Sequence, residues 1–243
     1  AHKLNPEISG NALNNSKLEI VIDDARNYIN MSNQKFDVIT ASLNHPRITG
    51  AGSLFAKEYY EILKDKLNTN GIVLQWMPMY QVSKKSFDVA LKTFTEVYPN
   101  YSFWYVKGHG LFVGSLKPIN LDFNDFAERY NQIPIKKDLL SIGIKTPEEL
   151  LGHMLMDKAN IISYLNSGEK IIINTDDNAY LEFHTPFEFL EKTESIVSEL
   201  FPYVGWKLGS ILKSYSNVEE NKIKDSFDYR VNKLFSELKE KIQ

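Results

Sequence analysis

A chain of 243 residues, 43% of them hydrophobic, can bury a sizeable core, so one main domain with an appendage is the expected plan. A net charge of −3 offers no basic surface for phosphate contacts and argues against a nucleic-acid partner. The absence of cysteine excludes disulfides and thiolate metal sites. With no signal-peptide pattern and no apolar run of about 18 residues, the chain as given is expected to be soluble and cytoplasmic.

In chain order, residues 1–17 are polar and broken by Pro6, Gly10 and several asparagines, which predicts the tail of a helix and then a loop. Leu18–Ile22 and Phe36–Ala41 are short β-branched runs that suit parallel strands buried on both faces. Between them, Ala25–Met31 predicts a short helix with Asp23 and Asp24 at its N-terminus. Residues 54–67 carry apolar side chains near a 3.6-residue period and end at Asn70-Gly71, expected to be a left-handed helix cap. Gly71–Met77 reads as the next strand, Ser83–Val97 as a capped helix, and 101–106 with 111–115 as an antiparallel hairpin. Helices are predicted over 121–130 and 146–157, then a strand over 171–174 ending in Asp176 and Asp177, and amphipathic helices beyond about 191. The order predicts an α/β fold, a mostly parallel sheet finished by an antiparallel pair, with residues 1–190 as the main domain and 191–243 as a helical extension.

Open α/β sheets bind ligands just past the carboxyl ends of their strands. The residues at those ends are Asp23, Asp24 and Ala25 for the first strand, Ser42, Asn44 and His45 for the second, and Gln75 onward for the third. Each has a purely structural alternative: Asp24 as an N-cap, His45 as a loop histidine, Gln75 as a satisfied strand end, Asp176 and Asp177 as turn formers. Trp76, Met79 and Tyr80 could wall a pocket or simply fill the core. The five histidines show no metal-ligand spacing, so no metal is expected.

Taken together, Asp24-Ala-Arg, Phe36-Asp-Val-Ile, Gly50-Ala-Gly-Ser-Leu-Phe-Ala-Lys-Glu-Tyr-Tyr-Glu, Asn70-Gly-Ile-Val-Leu-Gln-Trp and Asn174-Thr-Asp-Asp-Asn-Ala-Tyr-Leu-Glu-Phe resemble the spermidine synthase superfamily, over about residues 5–190. The resemblance is nearest to the branch often fused to membrane-spanning helices. It implies an S-adenosylmethionine-dependent methyltransferase-like fold, decarboxylated S-adenosylmethionine as donor and a polyamine as acceptor. It also implies that Asp24 lies at the adenine, that Gln75 lies near the acceptor and that Asp176 lies near the polyamine amines; Ala25 beside Asp24 is a further cofactor-binding candidate, and Tyr80 and Asp177 are further substrate-binding candidates.

Two departures matter. Where the family carries its catalytic acid, this chain reads Ser42-Leu-Asn-His-Pro46, which leaves His45 as the titratable residue of that loop. The family's glycine-rich cofactor loop and its two strands, expected upstream of Leu18, are not in the sequence, and no G-x-G-x-x-G run occurs elsewhere. Closing the sheet then requires Leu18–Ile22 to pair directly with Phe36–Ala41, or a second copy in a homodimer to supply the edge, or a longer natural chain that could carry a membrane-spanning region. Three functions follow: aminopropyl transfer to a polyamine, a non-catalytic binding domain of the same fold, or methyl transfer from S-adenosylmethionine itself.

Overall fold

The computed structural model describes residues 12–42 and 45–242. The readings made for residues 1–11, and Asn44 as a strand-end residue, lie outside them. The chain divides into two compact units, Ala1–Ser32 and Asn33–Gln243.

In the first unit, α1 (Ala25–Met31) forms as expected, with Asp24 at its N-cap. The predicted strand Leu18–Ile22 does not form; the segment has no regular structure and Ile22 is 98% exposed. A β-branched run expresses only a preference, and a strand exists where a neighbouring backbone completes its ladder. Leu18–Ile22 is therefore none of the strands among the described residues.

The second unit runs β1 (Phe36–Ala41), α2 (Lys57–Asp65), β2 (Leu67–Pro78), α3 (Lys84–Val97), β3 (Asn100–Val106), β4 (His109–Ser115), β5 (Leu121–Asp122), α4 (Phe123–Tyr130), α5 (Ile133–Ser141), α6 (Pro147–Leu151), β6 (Met154–Met156), α7 (Lys158–Leu165), α8 (Tyr180–His184), α9 (Thr193–Leu200), β7 (Leu212–Ser214) and α10 (Asn217–Ile242). Five strands form one sheet in the order β1-β2-β4-β3-β6. The α/β class and the hairpin are as expected. β1 pairs with β2 in parallel, while β2 with β4, β4 with β3 and β3 with β6 are antiparallel.

An aromatic chain ties α2 and α3 to the hairpin. Tyr60 meets Phe94 edge-on at 5.2 Å, Phe94 meets Phe112 at 5.6 Å, and Phe112 meets Phe103 at 5.9 Å. Gly114 permits this close packing, since a Cβ there would lie 2.7 Å from Phe94 Cζ and Tyr98 Cγ.

Three element boundaries differ from the expectation. The helix before β2 ends at Asp65, and Asn70-Gly71 lies inside β2 rather than capping it. Gly71 is needed for close backbone approach: a Cβ there would lie 2.8 Å from the Phe36 carbonyl oxygen, where the β1–β2 register shifts. The helix expected over 146–157 stops at Leu151, and Met154–Met156 becomes the strand that covers the outer edge of β3. The strand expected over 171–174 has no ladder among the described residues; its backbone is held by the Thr93 and Asn178 side chains and by the Lys57 amide, which donates to the Asn174 carbonyl. Among the described residues, no helix is long and apolar enough to cross a membrane.

Candidate functional site

β1 and β2 run parallel and α2 returns between them, so the end of β1, the start of α2 and the end of β2 share one edge of the sheet. Ala41, the last residue of β1, is in register with Gln75, and Ser42 follows it, exposed.

Gln75 is 3% exposed. Its Nε2 donates to the Trp76 carbonyl at 2.9 Å, and its Oε1 has no partner among the described residues. A buried acceptor left unpaired costs about 1–3 kcal/mol, so this oxygen is a ready place for a ligand N–H.

His45 is buried. Its Nε2 lies 3.0 Å from the Tyr80 carbonyl, and its Nδ1 accepts from the Arg47 amide at 3.2 Å. A carbonyl can only accept and an amide N–H only donate, so Nε2 carries the proton and both ring nitrogens are engaged. Burial holds the pKa of His45 below its ordinary 6.5, which keeps the ring neutral.

The Tyr80 ring, partly exposed, stands 5.5 Å from the His45 ring and edge-on to His109 at 6.2 Å. Trp76 Nε1 donates to His109 Nδ1 at 3.2 Å. The side chains of His45, Tyr80, His109 and Trp76 therefore form one continuous group, and Gln75 meets it only at the Trp76 backbone carbonyl. His109 was not singled out in the sequence, and its place on the hairpin turn is what brings it there.

Asp176 and Asp177 are exposed in the turn before α8, joined to the first turn of α2 by the Asp176 amide, which donates to Glu58 Oε2 at 2.9 Å. The anchor of that turn is buried Asn174. Its amide donates to Thr93 Oγ1 at 2.8 Å, its Nδ2 to the Gly52 carbonyl at 3.2 Å, and its Oδ1 accepts from the Leu181 amide at 3.0 Å. Glu182 adds two bonds, accepting from the Gly50 amide at 2.6 Å and the Gly52 amide at 3.0 Å. Glu188 closes the far side by accepting from the Ser83 amide and hydroxyl and the Ser86 hydroxyl, at 2.6–2.8 Å. Asn174 and Glu182 stand in the run quoted for the resemblance, whereas nothing in the sequence marks Glu188.

Asp24 and Ala25 belong to the first unit. Asp24 Oδ1 accepts from the Asn27 amide at 2.8 Å, the capping role, and both residues are exposed. Leu18–Ile22, the segment ahead of Asp24, is not a strand among the described residues. Among the described residues, no group of three His, Asp or Glu could hold a metal ion.

Residues 2–107 match the spermine/spermidine synthase domain. The likeness is thus to the spermine/spermidine synthase superfamily. "Polyamine aminopropyltransferase 2" of Aquifex aeolicus is 25% identical over 133 residues, 51% of this chain and 26% of that protein. The thermospermine synthase of Arabidopsis thaliana is 33% identical over 112 residues, 44% of this chain and 32% of that protein. The matches thus take in about a quarter to a third of the length of these two curated relatives. Of solved structures, a spermidine synthase in complex with the transition-state analogue AdoDATO overlaps 54% of this chain and 47% of its own, at 18% identity and a TM-score of 0.43. A probable spermidine synthase of Corynebacterium glutamicum overlaps 70% and 60%, at 15% identity and a TM-score of 0.46.

Proposed function

We propose that this chain supplies the acceptor side of an aminopropyltransferase-type site, with a polyamine or similar amine as ligand. Aminopropyl transfer from decarboxylated S-adenosylmethionine is the activity that such an acceptor side would serve. The observation that carries this reading is Gln75, a buried amide whose Oε1 lacks a donor at the carboxyl edge of the sheet. An amine brings N–H donors to that oxygen, and Asp176, Asp177 and Glu58 offer negative charge at the same edge.

His45 serves in this reading as a positioning residue that holds the Tyr80 backbone, because a proton-accepting role would first require release of the Arg47 amide. Calorimetry with spermidine and putrescine tests the proposal. Saturable binding is expected, weakened at least about fivefold in Gln75→Leu, a loss of about 1 kcal/mol; no heat from either amine, or undiminished binding in the variant, defeats it. A second reading, amine binding without catalysis, is favoured by Ser42 in the place of the family's acid. Amine binding with no methylthioadenosine released from decarboxylated S-adenosylmethionine separates it from the first.

A further inference from the structure

A cavity of about 790 Å³ lies away from the β1–β2 edge, between the turn of the β3–β4 hairpin, the segment leading into α6, and α10. Its floor is His153, 3% exposed, whose Nε2 has no partner among the described residues. The other ring nitrogen has two claimants: Nδ1 lies 2.9 Å from the Tyr105 carbonyl and 2.7 Å from Arg230 Nη2. The first contact needs a proton on Nδ1 and the second needs a lone pair there, and a neutral ring supplies one of them at a time. When Nδ1 donates to Tyr105, Arg230 has no acceptor.

Arg230 is half-buried, and this bond to His153 is the one hydrogen bond of its guanidinium among the described residues, so most of its five donors are unused. Gly152 makes room for it, since a Cβ there would lie 3.1 Å from Arg230 Cδ. Two ammonium groups line the same cavity, Lys107 at the hairpin turn and Lys145 ahead of α6, and neither makes an ion pair or side-chain hydrogen bond among the described residues. The acids present are partly committed: Glu149 Oε2 accepts from the Lys145 amide at 2.6 Å, and Glu237 lies 4.0 Å from Lys233. Asp225 completes the charged lining, while Ile142, Leu155 and Leu234 make its apolar part.

We propose that this cavity is a second binding site, for a small organic anion whose charged group sits among Arg230, Lys107 and Lys145 and whose apolar body lies along Ile142, Leu155 and Leu234. The guanidinium presents paired donors to a carboxylate or phosphate, and the lysines add charge at the mouth. An arriving anion takes Arg230 from His153, which frees Nδ1 to donate to Tyr105.

Calorimetry on the full chain with phenyl phosphate, inorganic phosphate and benzyl alcohol tests the site, with imidazole ¹⁵N spectra recorded in parallel. Phenyl phosphate should bind about tenfold tighter than inorganic phosphate because a ring leaves water, and benzyl alcohol should not bind. The double variant Lys107→Gln/Lys145→Gln changes two exposed residues, so it should fold and should bind phenyl phosphate at least about fivefold more weakly. Arg230→Gln should lose binding altogether, and the His153 ¹⁵N signals should shift on binding to the parent chain. No binding of phenyl phosphate, equal affinity for the two phosphates, unchanged affinity in the lysine variant, or unmoved His153 signals each overturns the proposal.

Discussion

Gln75 and Gly52 show how single side chains define the β1–β2 edge. Gln75→Leu removes one hydrogen bond to the Trp76 carbonyl together with an unpaired buried oxygen, and the two effects oppose each other. Urea unfolding should therefore change by no more than about 1 kcal/mol even as amine binding falls. Gly52 has no such latitude, because a Cβ there would stand 2.7 Å from the Glu182 amide nitrogen and 2.8 Å from its Cα, both backbone atoms. Gly52→Ala is expected to cost about 1–3 kcal/mol in the same measurement. His153 sets a pH dependence. Burial pushes its pKa down to about 4, aided by Arg230 and Lys107 and opposed by the Tyr105 carbonyl and Glu149. The unfolded chain protonates near 6.5 and the folded ring only near 4, so this contribution is complete above about pH 6.5 and is lost as pH falls toward 4. The loss is on the order of 3 kcal/mol, and His153→Gln should flatten that part of the stability profile.

Among the elements, Leu18–Ile22 and Met154–Met156 exchange the roles that their residues suggest. The first has strand composition and no partner; the second continues a helical pattern yet lies against the free edge of β3, and Gly152 ends the helix before it. Amide hydrogen exchange should find residues 18–22 unprotected and β2 strongly protected, since protection follows laddered, buried backbone. Slow exchange at 18–22 would mean that a partner covers them. Helix α3 depends on a residue 105 positions from its cap: Glu188 binds Ser83 and Ser86 at its N-terminus. Glu188→Ala should cost about 1–3 kcal/mol, through charged bonds to buried-end donors and loss of favourable charge at the helix start.

Across the molecule, a second core joins the middle of the chain to its C-terminal part. Phe123, Leu151 and Met154 pack with Leu208, Ile211, Leu212 and Ile223 in one buried cluster. Residues beyond 190 thus share a core with earlier ones, and Leu212→Ala should destabilise the whole second unit by about 2–5 kcal/mol in a single transition. Two separate transitions would show instead that the C-terminal part folds by itself.

What the sequence by itself determined is whatever local preference and periodicity encode: Asp24 capping α1, Ser83 capping α3, β1, the hairpin, and the strand containing Gln75. The ordered motifs also carry the resemblance to the spermidine synthase superfamily. Tertiary structure alone decided whether Leu18–Ile22 became a strand, whether both nitrogens of His45 were occupied, and that Glu182 and Glu188 would hold loops more than a hundred residues away. The reason is physical: a helix satisfies its own backbone within a few residues, whereas a strand, a buried imidazole or a carboxylate anchor takes its partner from distant chain, and the identity of that partner is written only in the packing.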